Sequence, residues 1–383
     1  MILIKNANIF APEAIGVADV LIEGSRIAAV QKNIDIPAGA PNLRVLDAEG
    51  RCLVPGFIDL HTHIIGGGGE DGFSSRSPEA KLTDFTLAGV TTAVGLLGTD
   101  GVSRCLDALF AKACAMSEEG ISCFMLTGAY AYPSPTLCGS VERDLVLIDR
   151  VIGAKIALSD HRSSEITYEE LLRLASSVHR GAMLGRKAGV LTIHMGDGKE
   201  KLSKLFRAAA ESSVPIKTFL PTHVERNADL LEEAIRWLKL GGLCDFTAGA
   251  AGQGGTARSV MRALDAGAEA ENITLSSDAF GSQPSFDERG CCVGLCYSTS
   301  SVLLDELKNL VNIGVSLEKG LPFMTRNPAR ILRMEKTKGC IAPGADADLV
   351  LLRPDDLSID TVFARGREMV SGGTAIVKGR FER

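Results

Sequence analysis

Residues 53–63 read LVPGFIDLHTH, and the hydrophobic pattern of the chain changes at this stretch. Before it, short runs rich in β-branched residues are separated by turn signals, as in strands. After it, short apolar runs alternate with amphipathic segments in which apolar residues recur every three or four positions. This alternation predicts parallel strands that are joined by helices.

Eight strand-like runs follow one another from residue 54 to about residue 330. They are LVPGFIDLHTH, TTAVGLLG, SCFMLTGAY, GAKIALS, GVLTIHMG, TFLPTHV, GLCDFTA and NITLSSDAFG. Eight strands that alternate with helices predict a closed (β/α)8 barrel of the TIM type, which takes about 250 residues. The tail, from GCIAPGADADLVLLRP onward, returns to β-like alternation. The predicted fold class is therefore α/β, with a barrel at 54–334 and a small β-sandwich domain built from both chain ends, 1–53 and 335–383.

The composition is that of an ordinary globular chain of 383 residues, with 41 Lys and Arg, 47 Asp and Glu, and a formal net charge of -6. No block of basic residues is present, which argues against nucleic acid as a partner. No apolar run reaches the roughly 18 residues of a membrane span. The opening MILIKNANIF lacks the pattern of a secretory signal. We therefore expect a cytoplasmic protein with no membrane partner.

The 10 cysteines are too dilute for a disulfide scaffold, and reduced core thiols are the simplest interpretation. Cys291, Cys292 and Cys296 form a tighter group. They could bind a metal ion, but no second cluster supplies the rest of a zinc site. The sequence does not decide the role of these three residues.

Four of the 6 histidines fall at the carboxyl ends of predicted strands: His61, His63, His194 and His223. Active sites of such barrels lie at those ends. Because alternate residues of a strand point to the same side, His61 and His63 can reach one metal ion. Of the other two, His161 falls in a loop near the rim, and His179 falls on a helix as a packing or surface residue.

Two further residues belong to the same rim. Asp278 ends the eighth strand, and Lys155 lies within the fourth between apolar neighbours. Each residue alone has an ordinary explanation, since a histidine can be structural, an aspartate can cap a helix and a lysine can extend to the surface. Together, the four histidines, Lys155 and Asp278 predict a metal site.

Several motifs resemble the amidohydrolase superfamily. PGFIDLHTH is similar to its first-strand metal motif, and TRNPARIL and GCIAPGADADLVLL are similar to its later signatures. Within the superfamily, nearly the whole chain resembles the isoaspartyl dipeptidase (β-aspartyl dipeptidase) family. The motifs that carry this resemblance are HIIGGGGEDG, GVTTAVGLLGTD, LTGAYAYPSPT, DRVIGAKIALSDHRS, IHMGDGK, LPTHVERN and LSSDAFGSQP.

The resemblance implies a binuclear centre with two Zn²⁺ ions per subunit. His61 and His63 would bind one ion, with Asp278 as its further ligand. His194 and His223 would bind the second ion. Neutral imidazoles and carboxylate oxygens are ordinary zinc ligands.

In the same resemblance, Lys155 would bridge the two ions as N6-carboxylysine. Burial disfavours the ammonium form and lowers the pKa of a lysine. A neutral amine can take up CO₂, and the resulting carbamate offers one oxygen to each ion. Without this carbamate, the ligand set has no obvious bridge from the protein.

The implied reaction is the hydrolysis of an isoaspartyl dipeptide. Two metal ions a few ångströms apart can acidify a shared water, and the bridging hydroxide would attack the scissile amide. Asp278 would accept the hydroxide proton and pass it to the leaving amine. By resemblance, Tyr130 would donate a hydrogen bond to the developing oxyanion.

Such a substrate carries a free α-amine and two carboxylates. Glu70 follows the glycine run 66–69 and is a suitable anion for the amine, although a solvated loop charge is the simpler interpretation. By resemblance, Arg162 and Arg226 would hold the C-terminal carboxylate, because a guanidinium offers a planar fork of donors.

The glycine run has other interpretations. No Gly-Lys-Ser/Thr follows it, so a phosphate-binding loop is not predicted, but a flexible linker is compatible with it. By resemblance, Gly68, Thr99 and Ser282 would bind the aspartyl α-carboxylate of the substrate.

Other functions remain compatible with the sequence. A dihydroorotase, a hydantoinase or an N-acyl-amino-acid deacylase would keep the zinc barrel and the aspartate base but change the substrate. A metal-free scaffold protein on this barrel would be expected to lack several ligands, whereas all six are present. The resemblance further implies a homo-oligomer, an octamer, with a small dipeptide as the substrate.

Overall fold

The computed structural model describes residues 1–35, 42–250, 255–286 and 292–383. Within these ranges the chain forms an eight-stranded parallel sheet that is nearly closed into a barrel, and a nine-stranded sheet built from both chain ends. The predicted α/β barrel with an additional β unit from the two ends is thereby confirmed.

The strands of the N-terminal part are β1 (Ile2–Phe10), β2 (Ala14–Glu23), β3 (Arg26–Gln31), β4 (Arg44–Asp47) and β5 (Cys52–Pro55). The barrel strands are β6 (Phe57–Thr62), β7 (Val90–Gly95), β8 (Ser122–Gly128), β9 (Val151–Leu158), β10 (Val190–Met195), β11 (Phe219–Thr222), β12 (Cys244–Thr247) and β13 (Ile273–Ser276). The remaining strands are β14 (Ser282–Phe286), β15 (Cys292–Tyr297), β16 (Leu349–Leu352), β17 (Ile359–Ala364), β18 (Arg367–Ser371) and β19 (Thr374–Ala375).

The helices are α1 (Leu82–Thr86), α2 (Leu106–Glu119), α3 (Val141–Leu147), α4 (Tyr168–Gly185), α5 (Ser203–Glu211), α6 (Ala228–Lys239), α7 (Thr256–Asp265), α8 (Val302–Asn312), α9 (Leu317–Gly320) and α10 (Arg326–Ile331). Helix α4 begins with a capping box, in which Thr167 and Glu170 exchange side-chain and backbone hydrogen bonds. Asn227 caps α6 by accepting from the backbone of Leu230. None of the helices in the described ranges combines the length and apolarity that a membrane crossing requires.

Toward their carboxyl ends, strands β9 and β10 carry apolar side chains on one face and polar side chains on the other. In β10, Leu191, Ile193 and Met195 belong to the main hydrophobic cluster around the barrel. His194, which lies between Ile193 and Met195, does not belong to it. The same alternation places Lys155 of β9 between Ala154 and Ile156, both of which pack in that cluster. Because alternate side chains of a strand point to opposite faces, the polar residues point into the barrel.

The ends of the sheet approach each other at β6 and β13. Thr62 and Ala279 form an isolated parallel bridge. The backbone N–H of His63 donates to the carbonyl of Ala279 at 2.8 Å. The backbone of one candidate metal ligand therefore helps to close the barrel.

The stretch LVPGFIDLHTH is not one strand, as we expected from the sequence, but two strands in different sheets. Residues 52–55 form β5, which pairs with β1 and β16, and residues 57–62 form β6 of the barrel. A Cβ on Gly56, between them, would lie 2.2 Å from Thr91 Oγ1. The chain therefore passes from one sheet to the other where only a glycine fits.

The nine-stranded sheet runs in the order β19-β18-β17-β16-β5-β1-β2-β3, with β4 pairing with β1. Leu349 and Leu351 of β16 pack in a cluster of the sheet itself, whereas Val350 and Leu352 pack in the main cluster of the barrel. Strand β16 is thus buried on both faces, which explains its continuous apolar run. The domain boundaries at 53/54 and 334/335 stay a prediction, and β5 crosses the first of them.

Strands β14 and β15 form an antiparallel hairpin after the last barrel strand, which we did not predict. Cys296 lies on β15, exposed, with Sγ 3.8 Å from the carbonyl of Gln283. Cys291 and the side chain of Cys292 lie outside the described residues. The possible metal role of this group stays an open prediction.

A buried lysine connects the barrel to the sheet from the chain ends. Lys338 Nζ lies 2.6 Å from Asp348 Oδ2, 2.9 Å from Asp346 Oδ2 and 2.9 Å from Ser122 Oγ. Ser122 begins β8, and Asp348 directly precedes β16. The ammonium group therefore links both sheets and neutralises two carboxylates.

Replacing Lys338 by alanine should destabilise the protein by about 3–5 kcal/mol, the usual cost of removing one partner of a buried ion pair. The measurement is the midpoint of chemical denaturation. Lys336→Ala removes an exposed lysine two residues earlier and should leave that midpoint unchanged. Equal midpoints for the two variants would contradict the role of Lys338.

Candidate metal centre and substrate cavity

A cavity of about 740 Å³ opens at the carboxyl ends of the barrel strands. Every barrel strand contributes to its lining at or just beyond its end, through His63, Thr99, Tyr130, Asp160, His194, His223, Thr247 and Asp278. This is the face on which barrel enzymes carry their active sites.

One group of candidate ligands surrounds Asp278. Its Oδ1 atom lies 3.3 Å from His61 Nε2 and 3.2 Å from His63 Nε2. Lys155 Nζ lies 3.0 Å from His61 Nε2. Donor atoms on one tetrahedral zinc ion, with bonds of about 2.0–2.1 Å, are about 3.3 Å apart. These atoms therefore already have the spacing of a metal site.

His223 joins this group from β11. Ligand atoms of His61, His223 and Asp278 all lie within 4.8 Å of one another. His223 Nδ1 lies 2.7 Å from Thr247 Oγ1, an oxygen that can accept its proton. That tautomer leaves the lone pair of Nε2 free, as metal-binding histidines require.

His194 lies beside the group, and both of its ring nitrogens have partners. Nε2 lies 2.9 Å from Asp160 Oδ2 and 3.2 Å from Arg162 Nη2, and Nδ1 lies 2.5 Å from the hydroxyl of Tyr130. The ring centroids of His194 and His223 are 4.7 Å apart. The structure thus brings all six predicted ligands to one end of the barrel.

The charge states of these groups suit a metal ion. Burial lowers the pKa of Lys155 to about 7, which makes the neutral amine available near neutral pH. Burial, together with the neighbouring positive groups, lowers the pKa values of His61, His194 and His223 well below the usual value. Neutral imidazoles are the form that binds zinc.

His61 and His63 both present Nε2 to Asp278. Nδ1 of each ring has no hydrogen-bond partner in the described part of the chain. Imidazole nitrogens and carboxylate oxygens that face one another at this spacing are the ligand types of zinc. The donor set of imidazoles, a carboxylate and a neutral amine therefore fits a divalent metal centre.

Below the ligands lies a second carboxylate, which sequence reasoning missed. Asp245 accepts hydrogen bonds from Thr222, Thr274 and Ser276 at 2.7, 2.7 and 2.5 Å. Burial raises its pKa to about 6, although these three donors oppose the rise. Its only sequence signal was a polar residue inside the apolar strand GLCDFTA.

Glu70 is not a solvated loop charge, because its side chain is only 5% exposed. Its Oε1 atom accepts from Thr99 Oγ1 at 3.0 Å, from Arg162 Nη1 at 3.2 Å and from Ser282 Oγ at 2.9 Å. Oε2 contacts Ser282 Oγ at 2.9 Å. The carboxylate is thus fixed in the wall of the cavity.

Thr99 and Ser282 therefore have a different partner here from the one we expected. Both hydroxyls donate to Glu70, and their contact with a substrate α-carboxylate stays a prediction. Gly68 also lines the cavity. Its φ is +82°, and a Cβ there would lie 2.5 Å from the carbonyl of Ser75, so no side chain fits.

The guanidinium fork of Arg162 faces Asp160 in this structure. Nε donates to Asp160 Oδ1 at 2.9 Å, and Nη2 donates to Oδ2 at 2.8 Å. With Nη1 bound to Glu70, few N–H groups of Arg162 remain for a substrate. Arg226 also lines the cavity, and no side-chain partner of it is found in the described residues. Arg226 is therefore the freer of the two cations.

Two residues near the rim were not predicted as functional. Asp160 was visible in the motif SDHRS but had no assigned role. Glu225 follows His223 by two residues, lines the cavity and is 1% exposed. Burial raises its pKa to about 8. His161 also lines the cavity, whereas His179 lies half-buried on α4, away from it.

Comparison with known proteins adds a family to this geometry. A profile of the amidohydrolase family matches residues 52–369. The β-aspartyl dipeptidase of Fervidobacterium islandicum AW-1, solved in complex with β-Asp-Leu dipeptide, is 40% identical, and the match covers 98% of each chain with a TM-score of 0.92.

More distant proteins share the fold. A D-hydantoinase structure is 19% identical and covers 100% of this chain and 98% of its own, with a TM-score of 0.69, which shows the fold alone. The imidazolonepropionase of Porphyromonas gingivalis W83 is 26% identical over 375 residues, which cover 88% of this chain and 84% of that protein.

The buried amine of Lys155 should make the metal-free protein less stable than a variant with an apolar side chain. The folded-state pKa is about 7, against about 10.4 in an unfolded chain. The unfolded state therefore binds more protons between these values, and stability rises with pH across this window. Lys155→Met should raise the Tm at pH 7 by at least about 2 °C, the shift that 1 kcal/mol gives in a large domain.

The measurement is thermal unfolding in chelator and CO₂-free buffer from pH 6 to 9. The advantage of Lys155→Met should be largest at pH 6–7 and should narrow toward pH 9. Lys217→Met, which replaces an exposed lysine, should show no such trend. A Tm at pH 7 no higher than that of the wild type would contradict the cost of the buried amine.

Proposed function

The chain belongs to the amidohydrolase family, within which it groups with the β-aspartyl dipeptidases, and from this premise we propose that it hydrolyses isoaspartyl dipeptides. One observation carries the proposal. The same cavity is lined by His63, His223 and Asp278 of the candidate metal centre and by the fixed carboxylate of Glu70. A metal-assisted amide cleavage and a site for a free amine would therefore lie side by side.

Glu70 would bind the α-amine of the aspartyl residue. Its Oε1 atom already accepts three hydrogen bonds, whereas Oε2 contacts only Ser282 among the described residues. A carboxylate oxygen has room for more than one donor. An ammonium group at Oε2 would form a charge-assisted hydrogen bond without displacing the contacts that hold Glu70.

Arg226 and the remaining N–H groups of Arg162 would receive the terminal carboxylate. Both side chains line the cavity, from the loops after β11 and β9. Gly68, Thr99 and Ser282 lie near Glu70, and we propose that they contact the aspartyl α-carboxylate. For the two hydroxyls, this requires a rotation away from Glu70.

His61, His63 and Asp278 would hold one zinc ion, and His194 and His223 would hold the second. Two such ions supply a water that ionises near neutral pH and a Lewis acid for the scissile carbonyl. Lys155 would join the two sets after its neutral amine has added CO₂. Its lowered pKa supports this step, because only the neutral amine is a nucleophile.

Asp278 would serve first as the base and then as the acid, and Tyr130 would serve as a hydrogen-bond donor. Asp278 Oδ1 lies 3.3 Å from His61 Nε2 and 3.2 Å from His63 Nε2, and it would accept a proton and return it to the leaving amine. Burial raises the pKa of Tyr130 above its ordinary value, so its hydroxyl keeps its proton and can donate to the developing oxyanion.

Cyclic-amide hydrolysis and N-acyl-amino-acid deacylation are the alternative reactions, and a metal-free scaffold is the alternative without chemistry. The fixed carboxylate of Glu70 favours a substrate with a free amine over the first two. The complete ligand set argues against the scaffold.

The test of the function is a substrate panel with zinc-loaded protein. We expect turnover of β-Asp-Leu, and little or none of dihydroorotate and N-acetyl amino acids. Asp278→Asn checks that the activity belongs to this site, because it should lose most turnover. A lack of β-Asp-Leu hydrolysis by the zinc- and bicarbonate-treated protein would sink the proposal.

Glu70→Gln should lower kcat/KM for β-Asp-Leu by about 10- to 100-fold, since a hydrogen bond to a charged group contributes about 1.5–3 kcal/mol. The loss should be absent for the N-acetylated dipeptide, which has no ammonium group. Glu165→Gln removes an exposed carboxylate from the loop after β9 and serves as the matched control. An unchanged preference for the free amine would exclude Glu70 as its site.

We also propose that the chain assembles into a homo-oligomer, an octamer. Light scattering of the purified chain measures it directly, and a monomer would contradict it.

A further inference from the structure

We propose that Asp160 is a positioning residue that holds His194 and Arg162 in one fixed arrangement. The part that concerns substrate rests on the proposed function, whereas the part that concerns His194 does not. Asp160 follows β9, and its side chain is only 3% exposed. Each of its two carboxylate oxygens binds a residue from the cavity wall.

The contact with His194 fixes the tautomer of its imidazole. Both oxygens of Asp160 accept hydrogen bonds from the guanidinium of Arg162, so the side chain acts here as a carboxylate. His194 Nε2 faces two groups: Asp160 Oδ2 at 2.9 Å, which only accepts, and Arg162 Nη2 at 3.2 Å, which only donates. The shorter contact, with the carboxylate, assigns the proton of the neutral ring to Nε2. The lone pair is therefore on Nδ1, the nitrogen that contacts Tyr130.

This arrangement has the form of an outer carboxylate that orients a metal-binding histidine. Such a carboxylate accepts the N–H of the ring nitrogen that does not bind the metal, and thereby fixes the ring. Here it leaves Nδ1 of His194 as the nitrogen that could bind a metal ion. Asp160 itself is not one of the ligands.

The second contact of Asp160 orients Arg162. Two parallel bonds, from Nε to Oδ1 at 2.9 Å and from Nη2 to Oδ2 at 2.8 Å, fix the plane of the guanidinium. The third nitrogen, Nη1, then points at Glu70, 3.2 Å away. Asp160 therefore sets the position of the cation that in turn helps to hold Glu70.

The backbone around Asp160 is built to keep it in place. A Cβ on Gly196, just beyond β10, would lie 2.4 Å from Asp160 Cβ, so this close approach requires a glycine. The carbonyl of Asp160 accepts from the N–H of Ser163 at 2.8 Å. Ser159 before it accepts from the N–H groups of Gly198 and Lys201 at 2.6 and 2.9 Å.

The test compares zinc binding and kinetics in Asp160→Asn and Arg162→Lys. The amide of asparagine cannot accept with both atoms, so it loses a bond to Arg162 or the bond to His194. Zinc affinity, measured by competition with a chelating dye, should fall about 10- to 100-fold in Asp160→Asn. Arg162→Lys should keep zinc affinity within about threefold but raise the KM for β-Asp-Leu, because it removes the guanidinium and leaves the contact between Asp160 and His194 intact.

Two further variants separate positioning from general damage. Gly196→Ala keeps the carboxylate but pushes it away from His194, and it should lower zinc affinity in the same direction as Asp160→Asn. Asp229→Asn removes a carboxylate that is 79% exposed on α6, and it should change neither quantity. The Tm of each variant is measured alongside.

Three outcomes would overturn the proposal. The first is a zinc affinity in Asp160→Asn that equals that of the wild type. The second is an equal loss of zinc affinity in Asp160→Asn and Arg162→Lys. If Asp160→Asn fails to fold, the third is a zinc affinity in Gly196→Ala that equals that of the wild type. If the wild type does not hydrolyse β-Asp-Leu, the proposed function fails, but the zinc measurements still decide the role of Asp160 toward His194.

Discussion

Lys155 lies fully buried in the barrel, with its amine 3.0 Å from His61 and without exposure to solvent. The free-energy cost of burying an ammonium charge lowers the pKa of Lys155. The imidazoles beside it are held neutral by the same burial, and Asp245 below it supplies negative charge at a distance. Burial thus shifts a group of donors that would repel one another if protonated toward the neutral form, which is the form that binds a cation.

A chain of alternating charges connects this centre to the mouth of the cavity. Glu70 is paired with Arg162, Arg162 with Asp160, and Asp160 accepts from His194. Each side chain is hydrogen-bonded to the next, so none of these charges is buried without a partner, which would be costly. The residue that would recognise an amine and a residue that would hold a metal ion are consequently parts of one rigid network.

Much of this arrangement follows from periodicity. The barrel, its eight strands and the six candidate ligands could be predicted, because strand ends in a parallel barrel must meet on one face. The split of LVPGFIDLHTH at Gly56 could not, because it depends on contact with Thr91, which is distant in sequence. The same holds for Asp160 and for the donors to Glu70, whose partners come from other strands. The hairpin β14–β15 carried no clear strand pattern in the sequence.

The nitrogen Nδ1 of His194 has a single lone pair, and the phenol of Tyr130 holds it here at 2.5 Å. Any cation that took this lone pair would have to displace the phenol first. The displaced hydroxyl would then face the cavity with its proton unused, since burial keeps it from ionising. Under the proposed function, a metal ion on Nδ1 would therefore break the contact with Tyr130 and leave its hydroxyl free to donate a hydrogen bond inside the cavity.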